Sequence, residues 1–150
     1  MVKKSMPIAI RPATLNEISA ILRIEQQSRT ASHWTIDQYT NLIANGIVLI
    51  AEQAEVICGF ISAQAVAGEW EIENVVAAPE FLRQGIATRL VNEVIKRARR
   101  ENASIIRLEV RESNQAARSL YEELHFRQER RRFAYYSNPP EDALVYAMRL

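Results

Sequence analysis

Two stretches of this sequence hold residues whose types and spacing suit anion binding and proton transfer. The first runs Val75-Val76-Ala77-Ala78-Pro79-Glu80-Phe81-Leu82-Arg83-Gln84-Gly85-Ile86-Ala87-Thr88, where a strand pattern passes through a short loop into a long helical pattern. The first-turn N–H groups of a helix have no intrahelical acceptor, and the aligned peptide dipoles add partial positive charge there. Such a junction can hold a pyrophosphate on backbone donors, and Gly85 and Ala87 are small enough to let it approach. Small residues at a strand-to-helix turn also make an ordinary connection, so the loop alone leaves both readings open.

The second stretch is Leu108-Glu109-Val110-Arg111, followed by Asn114 through Phe126. Glu109 lies near the end of a strand pattern, where a carboxylate can take a proton or can simply pair with Arg107 or Arg111. Tyr121 has a phenol that stays protonated at neutral pH and can donate to a developing anion. It also falls in the apolar helical stripe Ala117, Leu120, Tyr121 and Leu124, which would cover a sheet. Asn114 suits the N-cap of that helix and would keep an amide nitrogen for a ligand.

These groups must be positioned by a particular succession of elements. Residues 8 to 11 read as a strand, and Thr14 to Glu17 has capping-box spacing ahead of an amphipathic helix through Ile18, Ile21, Leu22 and Ile24. A second capping box, Thr35 to Gln38, opens another helix. Ile47 to Ala51, Val56 to Ala65 and Trp70 to Ala77 read as three strands of an antiparallel meander. From Gly85 the period changes: Ile86, Leu90, Val91, Val94, Ile95 and Ala98 recur at helical spacing with Arg89, Asn92, Glu93, Lys96 and Arg97 opposite. A buried strand Ile105 to Val110, a helix from about Asn114 to Leu124, and strands near Phe126 to Phe133 and Ala143 to Arg149 follow. Tyr135 to Asp142, with Pro139-Pro140, reads as the clearest loop. The predicted architecture is α+β, a mixed sheet flanked by helices.

At 150 residues the chain fits one domain, 1–150. Hydrophobic residues at 48%, charged residues at 25% and a net charge of +1 give no global sign of a nucleic-acid or membrane partner. No stretch has the length of a membrane span and the N-terminus lacks a long apolar core, so a cytoplasmic location is expected. Cys58, the single cysteine, sits in an apolar run and reads as a small buried residue. His125 reads as an altered helix cap, His33 has no Cys, Asp or second His at ligand spacing, and no metal is expected. Glu69, Glu71 and Glu73 alternate on one strand face, which reads as a solvated face or as an attractor for a cationic peptide. Arg127, Arg130, Arg131 and Arg132, interrupted by Glu129, read as a charge-guarded edge strand in preference to a basic patch that touches ribosomal RNA.

Arg83-Gln84-Gly85-Ile86-Ala87, combined with Glu109-Val110-Arg111-Glu112-Ser113-Asn114 and with Ala117-x-x-Leu120-Tyr121, resembles the GNAT acetyltransferase superfamily. Within it, the chain is most similar to the bacterial ribosomal-protein-alanine N-acetyltransferases. The likeness extends from Ile24-Glu25-Gln26-Gln27 and Trp34 to Tyr135-Tyr136 and Glu141-Asp142-Ala143, with Val75 to Phe126 its specific part. It departs from the family pattern at Leu82, where Gln or Arg is frequent, at Ala87 in place of a second glycine, and at His125, where a helix-ending Gly is usual.

The resemblance implies a GNAT fold and acetyl-CoA as co-substrate. Val75, Val76 and Ala77 would offer strand backbone to the acetyl-pantetheine arm. Arg83, Gln84, Gly85, Ile86, Ala87 and Thr88 would cradle the pyrophosphate, and Asn114 would bind the pantetheine portion. Glu109 matches the family's general base and Tyr121 its general acid, while Trp34, Tyr135 and Tyr136 would wall the acceptor groove. The implied acceptor is a protein N-terminal amine, of a ribosomal protein. A small-molecule amine and a noncatalytic acyl-CoA-binding module are the alternatives. The sequence does not separate a monomer from a weak dimer.

Overall fold

The structure is a computed structural model that describes residues 6–28 and 31–150. Among the described residues, seven strands and four helices follow one another as β1 (Ile8–Pro12), α1 (Ile18–Gln26), α2 (Ile36–Asn45), β2 (Ile47–Gln53), β3 (Val56–Val66), β4 (Glu69–Ala77), α3 (Ile86–Arg100), β5 (Ile105–Arg111), α4 (Gln115–Glu123), β6 (Arg127–Ser137) and β7 (Pro140–Arg149). The strand order is β1-β2-β3-β4-β5-β7-β6. Pairing is antiparallel for β1 with β2, β5 with β7 and β6 with β7, and parallel for β4 with β5. This is the mixed, mostly antiparallel sheet with helices that the patterning predicts.

The chain divides into two compact units, Met1–Ser62 with Asn74–Glu93, and Ala63–Glu73 with Val94–Leu150. In the first, both capping boxes form. Thr35 Oγ1 accepts from the Gln38 N–H at 3.1 Å while Gln38 Oε1 accepts from the Thr35 N–H at 2.7 Å, which satisfies two orphan donors at the start of α2. The Thr14 box opens through a 3-10 turn, Leu15–Glu17, before α1. Ile18, Ile21, Ile24, Tyr39, Leu42, Val48, Ile50, Phe60 and Val76 form the core of this unit. Cys58 is buried there, as expected.

Gly59 in β3 marks a close approach inside this unit. A Cβ at this position would lie 2.8 Å from the Val76 carbonyl oxygen, 2.8 Å from Ile86 Cγ2 and 3.4 Å from Ala77 Cα. A backbone oxygen within a sheet has little room to yield. The Gly59→Ala variant is therefore expected to lose about 1–3 kcal/mol of stability through overpacking, read as a lowered denaturant midpoint in chemical unfolding.

In the second unit, β5 alternates buried Leu108 and Val110 with half-buried Arg107, Glu109 and Arg111. Helix α4 starts on Asn114, whose Oδ1 accepts from the Ala117 N–H at 3.2 Å. It ends at His125, which has φ 73°. The His125 N–H donates to Glu122 O at 3.0 Å and the Phe126 N–H to Tyr121 O at 2.9 Å, the pattern in which a left-handed residue closes a helix. His125 thus has the capping role that its position predicts. Tyr146 in β7 fastens α4 by donating to Glu122 at 2.8 Å and accepting from Arg118 at 3.2 Å.

The expected loop from Tyr135 to Asp142 is corrected. Strand β6 continues to Ser137 and β7 begins at Pro140, with Tyr136 paired to Glu141 and Ser137 to Pro140. Only Asn138 and Pro139, joined by a cis peptide, connect the strands. Proline is compatible with the first residue of a strand, so Pro140 does not interrupt the ladder. The hairpin carries Tyr135 and Tyr136 on ordered strand rather than on a loop. β6 ends the strand order, and most of its residues are exposed, in keeping with a charge-guarded edge.

Candidate active site

The anion-binding features gather at the start of α3 in the first unit. Arg83 has φ 63° and Gly85 has φ 76°, so the backbone turns twice into the left-handed region just before the helix. Left-handed residues ahead of a helix can turn successive N–H groups toward an anion. Gly85 caps α3 by accepting from the Arg89 N–H at 3.0 Å, leaving the Ile86, Ala87 and Thr88 N–H groups at the open end. A Cβ at Gly85 would meet nothing within 4 Å, so the cradle is open and glycine is needed there for its φ alone.

The other predicted residues of this unit divide by face. Arg83 and Gln84 are exposed, while the Ile86 side chain is buried and can contribute only its backbone. The Arg89 guanidinium is committed to Ile8 O at 2.9 Å. Val75 and Ala77 are half-buried, and Val76 points into the core. Trp34 is half-buried with its ring 6.0 Å from that of Tyr39, so it is partly a packing residue.

In the second unit the structure brings Glu109, Tyr135 and Tyr136 into one cluster, with Tyr121 in electrostatic reach of Tyr136. Glu109 Oε1 lies 3.2 Å from Arg132 Nε, and its side chain keeps 18% exposure, enough to be reached. A hydrogen bond from Tyr135 to Glu109 holds that phenol above its ordinary range. The Arg132 guanidinium also lies 5.3 Å from the Tyr135 ring centroid. Tyr135 and Tyr136 meet edge to face at 5.0 Å, with Arg111 4.1 Å over the Tyr136 ring. Burial, followed by the nearby Glu109 charge, pushes Tyr136 up to about 12.

Tyr121 is buried, with its ring 5.8 Å from Phe126 and 6.4 Å from Tyr146. Burial, reinforced by Tyr136, pushes its phenol well above the usual tyrosine range. The phenol thus stays protonated in a side chain that also packs. Neither Arg107 nor Arg111 pairs with Glu109. Arg107 bridges Glu69 at 3.1 Å and Glu129 at 2.9 Å, and Arg111 pairs with Glu141 at 3.2 Å. The true partner, Arg132, comes from β6, which no local spacing could have indicated.

Glu73 is the residue whose importance the alternation understated. Its two companions Glu69 and Glu71 are exposed, but Glu73 is half-buried and accepts from Gln64 Nε2 at 3.2 Å. Burial first, then the charges of Glu71 and Glu109, raise its carboxyl to about 7. A carboxyl that titrates near neutral pH within the field of Glu109 can hold or release a proton under working conditions.

The protonated form of Glu73 is favoured in the fold, so its contribution to stability is whole below the ordinary value near 4.5 and is lost as pH rises through about 7. Glu73→Gln should consequently be more stable than the parent by about 1 kcal/mol at pH 8, after discounting for solvent screening, with no gain at pH 4. Urea unfolding at the two pH values measures the difference.

The sequence profile of the Acetyltransferase (GNAT) family matches residues 15–126. This chain belongs to the GNAT acetyltransferase family. A Bacillus subtilis (strain 168) relative of this GNAT member, provisionally named [ribosomal protein bS18]-alanine N-acetyltransferase, is 30% identical over 140 residues, covering 91% of this chain and 92% of that protein. The [ribosomal protein bS18]-alanine N-acetyltransferase of Escherichia coli (strain K12) is 33% identical over 94 residues, 61% of this chain and 64% of its own length. A crystal structure of the ribosomal-protein-S18-alanine N-acetyltransferase from Escherichia coli superposes with a TM-score of 0.85 at 27% identity, covering 95% of this chain and 94% of that one. The protein is an acetyl-CoA-dependent N-acetyltransferase with a GNAT fold. Its open, doubly left-handed loop ahead of α3 fits a pyrophosphate-bearing co-substrate. Among the described residues no group of three His, Cys, Asp or Glu could hold a metal ion, and no helix is long and apolar enough to cross a membrane.

Proposed function

We propose that this GNAT enzyme acetylates the N-terminal α-amine of a protein, an N-terminal alanine of a ribosomal protein, with residues 1–150 acting as one cytoplasmic domain. The names of the relatives support the acceptor class. The observation that carries the chemistry is the cluster in which Glu109 is held by Arg132 and Tyr135, with Tyr136 in electrostatic reach of both Glu109 and Tyr121.

Acetyl-CoA supplies the acetyl group and a thiolate leaving group. An α-amine with a pKa near 8 is mostly protonated at neutral pH and cannot attack until a proton is removed. Glu109 is the base that accepts this proton, directly or through water. Tyr121 keeps its proton because burial raises its phenol, so it donates a hydrogen bond where negative charge collects on sulfur. Val75 to Ala77 offer strand backbone to the acetyl-pantetheine arm, Arg83 to Thr88 hold the pyrophosphate, and the Asn114 amide nitrogen, left over from capping α4, serves the pantetheine portion. Trp34 in the first unit and Tyr135 and Tyr136 in the second are the side chains assigned to the acceptor.

The test is CoA release by the purified protein with acetyl-CoA and peptides that differ in their first residue. Rapid turnover confined to Ala-initiated ribosomal sequences and close variants is the expected result. Turnover of small amines with none of the peptides would move the assignment to a small-molecule acetyltransferase, and acetyl-CoA binding without any turnover would leave only a binding module.

A further inference from the structure

Helix α1 buries a carboxylate one residue from its C-terminus. Glu25 is 2% exposed, in the unit whose core holds Ile18, Ile21 and Ile24 of the same helix. Burying a carboxylate costs several kcal/mol, on the order of what a whole side chain of apolar packing contributes, unless donors surround it. The donors here all come from one short stretch. The Trp34 N–H reaches the two Glu25 oxygens at 3.2 and 3.1 Å, the Tyr39 hydroxyl donates to Oε2, and His33 Nδ1 lies 3.5 Å from Oε1. An apolar residue would fill this site at no electrostatic cost, but it would hold nothing at 33–34.

A second buried side chain grips the residue before. Asn74 is 6% exposed, and its Oδ1 accepts from the Ser32 N–H at 3.3 Å while its Nδ2 donates to Ser32 O at 2.9 Å. The same Nδ2 lies 3.4 Å from the Tyr39 hydroxyl oxygen, which joins the two grips into one network. Burial and then Glu25 keep the Tyr39 phenol protonated, so its donation to Glu25 persists across the working range. Asn74 immediately precedes Val75 to Ala77 in β4. An amide that satisfies both backbone groups of one residue fixes that residue as firmly as a strand neighbour would.

We infer that Glu25 and Asn74 are positioning residues for the acceptor: they clamp Ser32–Trp34 to β4 and so set the place of the Trp34 ring relative to the strand that receives the acetyl group. This rests on the proposed reading of Trp34 as a wall of the acceptor groove. Neither side chain touches the reacting atoms. The clamp acts through Trp34, so its loss should be felt by the acceptor and not by acetyl-CoA.

The experiment uses the full chain and the variants Glu25→Gln and Asn74→Ala. Glu25→Gln keeps the shape but puts an NH2 donor in place of one of the two oxygens that accept from the Trp34 N–H and the Tyr39 hydroxyl. Both should raise the KM of an Ala-initiated peptide on the order of tenfold, with kcat altered less and acetyl-CoA affinity within about twofold, as expected when orientation is lost. Trp34 emission should shift as well, and the shift should vanish in a Trp34→Phe background, where Trp70 is the remaining tryptophan. Unchanged peptide KM and unchanged emission would overturn the inference, as would a parallel fall in acetyl-CoA affinity, which marks a merely structural role. If Asn74→Ala does not fold, the isosteric Glu25→Gln decides alone. If the parent enzyme turns over small amines and no peptide, the acceptor reading fails, and the Trp34 emission still judges the clamp.

Discussion

Tyr121→Phe should lower kcat by about 10²- to 10³-fold while acetyl-CoA affinity changes by less than about threefold. The substitution is unusually clean because the ring and the hydroxyl have separable tasks. The ring packs against Phe126 and Tyr146 at 5.8 and 6.4 Å, contacts that phenylalanine preserves. The hydroxyl is what remains for chemistry. Burial raises its pKa above the ordinary tyrosine value near 10, whereas a thiol sits near 8.5, so complete transfer of the phenol proton to a free thiolate runs uphill. In the proposed mechanism its contribution is strongest while charge is developing on sulfur, through a hydrogen bond that tightens in the transition state and is weak before it. An effect of that kind appears in kcat and spares ground-state affinity. Steady-state kinetics beside a direct acetyl-CoA titration measures both, and equal losses in the two would reassign Tyr121 to binding.

Where the fold follows from local periodicity, the sequence shows it. Ile86 to Ala98 repeats at helical spacing and the helix runs Ile86–Arg100. Thr35 and Gln38 sit at capping-box spacing and both arms of the box form. Legibility ends where partners meet across strands. Glu109 and Arg132 belong to β5 and β6, which both pair with β7 and not with each other, so their ion pair is a product of strand order. The alternation of Glu69, Glu71 and Glu73 gives a shared face but not the half-burial that moves Glu73 alone toward neutral pH. Glu25 left a signal that was there to be read: Ile18, Ile21 and Glu25 recur at three- and four-residue spacing, which puts a carboxylate on the apolar stripe. A charge at such a position calls for donors, and the donors turn out to be the segment around Trp34.

Glu109→Gln separates a base from a charge. Glutamine has the same outline and keeps an oxygen for Tyr135 and Arg132, and loss of a partly exposed ion pair should cost no more than about 1 kcal/mol of stability. At pH 7 the variant should lose about 10²-fold in kcat/KM, since the acceptor amine is then mostly protonated and, in the proposed mechanism, has lost the group that deprotonates it. The amine's own pKa near 8 supplies the rescue. The variant's rate should climb nearly tenfold per pH unit below that value and level off above it, so the gap to the parent narrows at high pH. A gap that stays constant from pH 6 to 9 would mean that Glu109 holds the ammonium by its charge and takes no proton, and an unchanged rate would remove it from the mechanism. Glu73 lies in the same field, and the Glu109 charge is one cause of its raised value. The profile should therefore be repeated in the Glu73→Gln background: a limb near pH 7 that disappears there belongs to Glu73, and one that remains belongs to the acceptor amine.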